Sequence, residues 1–479
     1  MTQNEHPLEF LFHPRSIAVV GASSSQGPGG GFVTAIKEMG FDGDLYPVNP
    51  KVDELQGLKC YPRLALVPGA VDYVISCVPV AVVPEMIEEA AEKGVKAIQF
   101  FTAGFSETGD AERSEQESSV LARARELGMR VIGPNCMGLC CPATGLSFMP
   151  LLPTEPGPVG IVSQSGANAV DICRTGGARG LRFSKVISYG NAADLTESDF
   201  LDYLADDPET TVITGYIEGV KDGQRFLRTL AKAAAAKPVI ILKGGRTEAG
   251  GRATVSHTGS LAGEVQVFDA VCRQTGAMRV ESIEELVDTA IAFRFLGQLP
   301  GPRTGIVGVG GGNSVLAADA VAAAGLEVPP LPEATQRQLA EFTPIAGTSV
   351  RNPVDTTVGF GPDGPRLMRE TLRLVAEAPN IDVILYQPAI GWGPPPGDEG
   401  PSAVEIAKQI ATSTGEAVRE FGKPIVVLMR PPLTSEAMEQ SITFMEEAAA
   451  QGLAIFPGVS NAARALRRLL DFQAGRQEP

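Results

Sequence analysis

The sequence is poor in the residues that mark several protein classes, and each shortage narrows the reading. Histidine is scarce: three in 479 residues, with His6 and His13 close to the start. Any histidine chemistry in the body of the chain therefore falls on His257. Basic residues number 40 against 56 acidic ones, for a formal charge of −16. A phosphate-tracking nucleic-acid surface would work against that field, so nucleic acid is set aside. The same field disfavours anionic ligands, and a phosphate site must rely on local amides, helix N-termini and single lysines. The seven cysteines show no paired CxxC spacing. Cys60, Cys77 and Cys173 lie in or beside apolar runs as reduced core thiols. The adjacent Cys140 and Cys141 suit neither a tetrahedral metal site nor an ordinary disulfide, so no metal is expected. No apolar run reaches the ~18 residues a membrane span requires, and Met1 to His13 has no basic region followed by an apolar core. A cytoplasmic protein is the expectation.

What is present is a globular composition, 44% hydrophobic and 20% charged, long enough for about three domains. Short apolar runs bounded by turn residues alternate with helical patterns. Ser16–Val20, Asp44–Val48, 73–78, 97–101 and Arg130–Ile132 read as strands, with a helix over 80–93 between two of them. This is the βαβ rhythm of a parallel sheet covered on both faces. A second α/β series runs through 159–163, Phe183–Ser188, Val212–Ile217 and Val239–Lys243. A third runs through 304–309, 383–387, 425–429 and Ala454–Phe456. Proline and glycine near 142–158 and at 299–302 divide them, giving domains at 1–145, 155–298 and 302–475. The tail beyond Gly475 reads as disordered. Domains two and three read as an internal repeat. Gly157-Pro158-Val159-Gly160-Ile161-Val162-Ser163 is echoed by Gly301-Pro302-Arg303-Thr304-Gly305-Ile306-Val307, and Lys237-Pro238-Val239-Ile240 by Lys423-Pro424-Ile425-Val426. Only the second copy has Glu218 after its strand and continues into a histidine loop, so the chemistry belongs there.

The first strand runs into a loop containing Gly21, Ala22, Ser23, Gly27 and Gly30 and then a helix, which lets amides and a helix N-terminus face a pyrophosphate. The loop is not GxGxxG, and the second strand ends in Asn49 and Lys51, where an NAD site calls for an acidic residue on the ribose. A lysine there suits a phosphate-bearing ribose, as in CoA. Val78 ends the third strand of that sheet and Pro79 follows it, and Gly133-Pro134-Asn135-Cys136 follows its last. A histidine that accepts a phosphoryl group needs a neutral nitrogen, an acceptor for its far N–H and donors for the phosphoryl oxygens. His257 stands in Ser256-His257-Thr258-Gly259-Ser260. Glu218 can hold the far nitrogen, and Ser163-Gln164-Ser165-Gly166 joins a strand to a helix. That last turn is equally an ordinary serine N-cap.

In this order the motifs make the chain resemble, over nearly its whole length, the alpha subunits of ADP-forming acyl-CoA (acetyl-CoA) synthetases, relatives of succinyl-CoA synthetase alpha. Tyr46-Pro47-Val48-Asn49-Pro50-Lys51, Thr102-Ala103-Gly104-Phe105 and Arg351-Asn352-Pro353-Val354-Asp355 also carry the resemblance. It implies an α/β fold, with a Rossmann-like CoA-binding domain followed by two flavodoxin-like domains. It further implies phosphorylation of His257 with Glu218 as partner, and reversible formation of acyl-CoA, ADP and phosphate from a carboxylic acid, CoA and ATP. Ending soon after its third α/β series, the chain is expected to lack an ATP-grasp module, and it shows no Gly-x-x-x-x-Gly-Lys-Ser/Thr loop. ATP, ADP and Mg2+ are therefore expected on a separate ATP-grasp beta subunit, in an α2β2 assembly. Gly310-Gly311-Gly312-Asn313-Ser314 departs from the family's Ala-Gly-Gly-Pro-Gly run. Ser188, Tyr189, Gly190, Asn191 and Met137 are candidates for the acid pocket. The rival readings are a CoA-sensing or scaffolding protein of the same fold, opposed by the intact His257 and Glu218, and an NAD-dependent oxidoreductase, opposed by Asn49 and Lys51.

Overall fold

A computed structural model describes residues 6–23, 29–258, 264–308, 310–344, 347–359, 363–391 and 402–476, with the backbone alone at 30 and 255–258. The chain divides into two compact units, one formed by residues 1–177 and 182–286, the other by 178–181 and 287–479.

The first unit holds two large sheets. In chain order its strands are β1 (Ser16–Val20), β2 (Asp44–Val48), the small hairpin β3 (Glu54–Leu55) and β4 (Leu58–Lys59), β5 (Tyr73–Ser76), β6 (Ala97–Phe100) and β7 (Arg130–Ile132). These are followed by β8 (Gly138–Cys140), β9 (Pro156–Ser163), β10 (Phe183–Ser188), β11 (Val212–Ile217), β12 (Val239–Lys243) and β13 (Met278–Val280). The first sheet has the order β2-β1-β5-β6-β7 and is parallel throughout. Strands β1, β5 and β6 are buried along their whole length, because helices on both faces leave no side for water. Val74, Ile98, Val83, Met86, Val120 and Leu121 form the core between strands and helices.

The second sheet has the order β13-β12-β11-β9-β10-β8 and is parallel except for β8, which pairs antiparallel with β10. Sequence reading ran the segment after β7 on within the first domain; the structure passes Gly138–Cys140 to the edge of the next sheet. The second unit's sheet comprises β14 (Thr304–Gly308), β15 (Ser349–Val350), β16 (Val354–Asp355), β17 (Val383–Tyr386), β18 (Ile425–Leu428) and β19 (Ala454–Phe456), in the order β15-β16-β14-β17-β18-β19. Reading β9 as β14, β11 as β17 and β12 as β18 superposes the two orders, down to an antiparallel edge strand in each. The internal repeat seen in the sequence is a repeat of topology.

The expected elements differ from these mainly at their ends. The helix expected over 80–93 is a 3-10 turn, Val80–Val82, followed by the helix Val83–Glu92, which starts where Pro84 occupies its first turn. Proline is tolerated there because the missing N–H has no intrahelical partner to lose. All seven cysteines are unpaired, and all but Cys77 are buried. Among the described residues no group of three or more metal-binding side chains is gathered, and no helix is long and apolar enough to cross a membrane. The tail expectation lies mostly outside the described residues, which extend one residue past the helix Val459–Gly475.

Candidate active site

In an open parallel sheet the crevice opens where the chain reverses its direction of winding, at the carboxyl ends of two neighbouring strands. In both sheets of the first unit some of the sequence-derived residues lie at such ends, Gly21 and Asn49 in the first and Ser163, Gln164 and Glu218 in the second.

In the first sheet the reversal falls between β1 and β5. Gly21 follows β1 with φ +87°, and a Cβ there would stand 2.9 Å from the carbonyl of Cys77. Gly29 precedes the helix Gly30–Met39, and a Cβ on it would stand 2.3 Å from the Gly21 oxygen. Gly21 and Gly29 thus approach each other closely, at the start of a helix whose cap residue, Gly29, has no side chain to cap it. That leaves amide donors for an anion, the surroundings a pyrophosphate requires. The Gly21 and Ala22 amides donate to Val48 O at 2.9 and 3.2 Å. Asn49 donates through Nδ2 to Ala22 O at 2.6 Å and accepts the Lys51 amide at 2.9 Å, so Asn49 spans the ends of β1 and β2. Lys51 is exposed and Ser23 half-buried. Val78 lines the turn, its Cγ1 3.2 Å from where a Gly21 Cβ would be, and Pro79 follows it. Gly27 lies outside the described residues.

Asn135 goes elsewhere. It adopts φ +55°, and its amide donates to Thr102 O at 3.1 Å. A Cβ on Gly190 would meet the Asn135 and Pro134 oxygens at 2.4 Å. Asn135 thus meets the loop after β10, at the junction of the two sheets.

In the second sheet the reversal falls between β9 and β11. Ser163 ends β9, and Gln164 uses one atom, Oε1, to accept the amides of Glu218 at 2.8 Å and Gly219 at 3.1 Å. The turn after β9 and the turn after β11 are thereby locked together, with Glu218 6% exposed. The Ser163 hydroxyl donates to Ser165 O at 2.6 Å, and Ser165 Oγ accepts the Asn168 amide at 3.3 Å. Ser165 is thus an N-cap of the helix Gly166–Ala178; the helix's first amides still lack intrahelical partners. Gly166 gives room to Met137, whose Cγ would lie 2.3 Å from a Cβ. His257 and Thr258 lie in the last turn of the helix Glu248–Thr258, which leaves β12 through a short loop and runs against the turn Ser106–Thr108. Gly259 lies outside the described residues. Asn191 is buried in the loop after β10 and donates through Nδ2 to Glu107 at 2.6 Å.

Two groups escaped the sequence reading. Lys243, at the carboxyl end of β12 and 2% exposed, donates to Glu218 O at 2.6 Å and also to Gly244 O. Burial lowers its pKa to about 8, against the pull of Glu218. Tyr216 on β11 hydrogen-bonds Glu218, and burial first, then that carboxylate, raises its phenol. Gly244 makes the approach possible, since a Cβ there would stand 2.6 Å from the tyrosine oxygen. A lysine closing an otherwise apolar strand was the available signal for Lys243.

Comparison with known proteins fits this arrangement. Residues 15–142 match a CoA binding domain, 156–293 a succinyl-CoA ligase like flavodoxin domain, and 304–429 a ligase-CoA domain. The chain is 37% identical over 445 residues to the acetate–CoA ligase (ADP-forming) II alpha subunit of Pyrococcus furiosus, covering 90% of this chain and 92% of that one. It is 38% identical over 384 residues to acetate–CoA ligase (ADP-forming) I of Archaeoglobus fulgidus, covering 79% of this chain and 54% of that longer protein. The dinucleotide forming acetyl-coenzyme A synthetase 1 of Ca. Korarchaeum cryptofilum, solved with phosphate and ADP, superposes with a TM-score of 0.80 at 32% identity, covering 98% of this chain and 97% of that one. Fold, matched domains and relatives together define a CoA-binding acid–thiol ligase subunit. The chain belongs to the family of alpha subunits of ADP-forming acetate–CoA ligases.

Proposed function

We propose that this subunit relays a phosphoryl group through His257 to a small carboxylic acid, acetate being the acid named for the two relatives above, and then passes the acyl group to CoA. The supporting observation is the lock between the β9 and β11 turns, which buries Glu218 on the sheet edge from which, one strand over, the His257 helix departs. Glu218 would accept the far N–H of the imidazole, selecting the tautomer and stabilising the cation that phosphorylation creates. The amides that follow Ser163, Gln164, Ser165 and Gly166, with Thr258 and Gly259, would donate to the phosphoryl oxygens. A carboxylate oxygen attacks phosphorus, the N–P bond breaks and its electron pair returns to the imidazole, leaving an acyl phosphate. The CoA thiolate then attacks the carbonyl carbon, the C–O bond to phosphate breaks, and phosphate departs.

CoA as substrate would lie along Gly21, Ala22, Ser23, Gly27, Gly30, Asn49, Lys51, Val78 and Pro79. Its thiol end would pass Asn135 toward Gly190 and Asn191. ATP, ADP and Mg2+ belong to an ATP-grasp beta subunit in an α2β2 cytoplasmic assembly, and the three domains run over 1–145, 155–298 and 302–475. The test is phosphorylation of the purified chain with γ-labelled ATP and Mg2+, alone and with its partner subunit, beside His257→Ala. Acid-labile label that requires the partner and is lost in the variant is the expected result. Label retained in His257→Ala would rule the mechanism out.

A further inference from the structure

Buried polar atoms without a partner are rare because nothing repays their lost hydration. Two occur in one loop of the first unit. The Tyr189 hydroxyl and the Asn191 Oδ1 are buried and have no hydrogen-bond partner among the described residues, in side chains 0% and 2% exposed. The loop itself is held firmly. The Tyr189 amide donates to Ser163 O at 3.0 Å and the Asn191 amide to Pro134 O at 2.9 Å. Lys221 donates to Asn191 O at 2.8 Å. The Tyr189 ring packs against Phe200, centroids 6.2 Å apart. A loop so constrained leaves these two atoms without a partner among the described residues.

The surroundings select the ligand. Glu197 and Glu218 are the carboxylates whose charge reaches the Tyr189 hydroxyl, and burial chiefly, then those charges, hold its phenol far above the ordinary range. The hydroxyl therefore keeps its proton and can donate. An incoming carboxylate would meet repulsion from both glutamates and needs a neutral donor already in place. The spare Asn191 atom is an acceptor and would repel a carboxylate, which leaves the tyrosine.

We propose that Tyr189 receives the acid substrate, its hydroxyl donating to one carboxylate oxygen while the other attacks phosphorus. The inference rests on the ligase reading of this site. The tyrosine proton stays on its oxygen throughout; only the N–P bond breaks and the P–O bond forms. With no partner among the described residues, the hydroxyl is open to substrate, and removing it should spare stability while harming acid recognition.

The test is Tyr189→Phe in the complex with the partner subunit. Both proteins are charged with γ-labelled ATP and Mg2+, freed of nucleotide at whatever occupancy each reaches, and discharged with a concentration series of acetate, then propionate and butyrate. The half-saturating acid concentration should rise about ten- to a hundredfold in the variant, with a melting temperature equal to or above that of the wild type. A discharge curve that coincides with the wild type's would overturn the proposal and leave the hydroxyl to an ordered water. A lowered melting temperature, or a variant that cannot be charged at all, would overturn it too, by giving the hydroxyl a structural or phosphorylating role. Wild-type protein that charges with no acid able to discharge it would instead sink the ligase reading, and this inference with it.

Discussion

Lys243 shows how a single side chain can be costly and useful at once. Its ammonium sits among carbonyls at the end of a buried strand, one residue across the ladder from Ile217 and beside the Glu218 turn. Burial lowers its pKa to about 8 from 10.5. The sign follows: between those values the unfolded chain binds the proton and the folded chain does not, so this group's contribution to stability rises with pH across the window. Urea unfolding should show wild type gaining stability relative to Lys243→Met between about pH 8 and 10.5. The same variant frees the Glu218 carbonyl, and its His257 labelling rate should fall about tenfold, the effect of one charge-assisted hydrogen bond. Of the candidate site residues, Glu218 was legible because an acidic residue closed a β-like run in only one copy of the repeat. Gln164 was legible only as part of a motif; that one of its oxygens holds both turn amides depends on a strand 54 residues away.

At the scale of elements, the proposed ligand chemistry falls on the strand-to-helix turns, and glycine decides their shape. Gly21 and Gly40 flank the same helix with nearly the same backbone, φ +87° and +85°. Gly21 faces the Cys77 backbone at 2.9 Å, while nothing lies within 4 Å of a Cβ on Gly40. Alanine at Gly40 should cost only the left-handed backbone penalty, about 1 kcal/mol, and leave CoA affinity alone. Alanine at Gly21 should add a backbone collision and weaken CoA binding more than about tenfold. Calorimetric titration of CoA into the two variants separates these outcomes; equal affinities would show that the turn does not contact CoA. Most strands were readable as apolar runs between turn residues, since burial on both faces removes polar interruptions. Strand β8 was not, because its three residues owe their conformation to Val186 and its neighbours on β10.

For the whole molecule, the proposed relay requires the two sheets of the first unit to be held in register, since its carrier and its CoA turn lie on different sheets. Asp194 is one tie. It follows β10 and accepts Arg130 Nε and the Val131 amide, both at 2.9 Å, at the far edge of the first sheet, with Arg125 adding a further ion pair. Burial alone would raise its carboxyl, but the hydrogen bonds from Arg130 and Val131 outweigh it and hold the pKa below the ordinary value. The stability it lends is therefore complete above about pH 3.8 and lost as pH falls through the depressed value. Asp194→Asn should lower unfolding free energy by about 1–3 kcal/mol at pH 7, with the gap closing in melts taken below about pH 4.

Read along the chain alone, the protein already shows its parallel sheets, its glycine turns, its topological repeat and the lone histidine of its second copy. Those features are local: each depends on a few consecutive residues and on the periodicity of burial. Tertiary structure alone assigned β8 to the second sheet and brought Asn135 to Gly190. It also placed Lys243 against the Glu218 carbonyl and left the Tyr189 hydroxyl without a partner among the described residues. The reason is physical. Desolvation and hydrogen-bond satisfaction are set by groups tens of residues apart in sequence, and only the folded chain brings those groups within reach of one another.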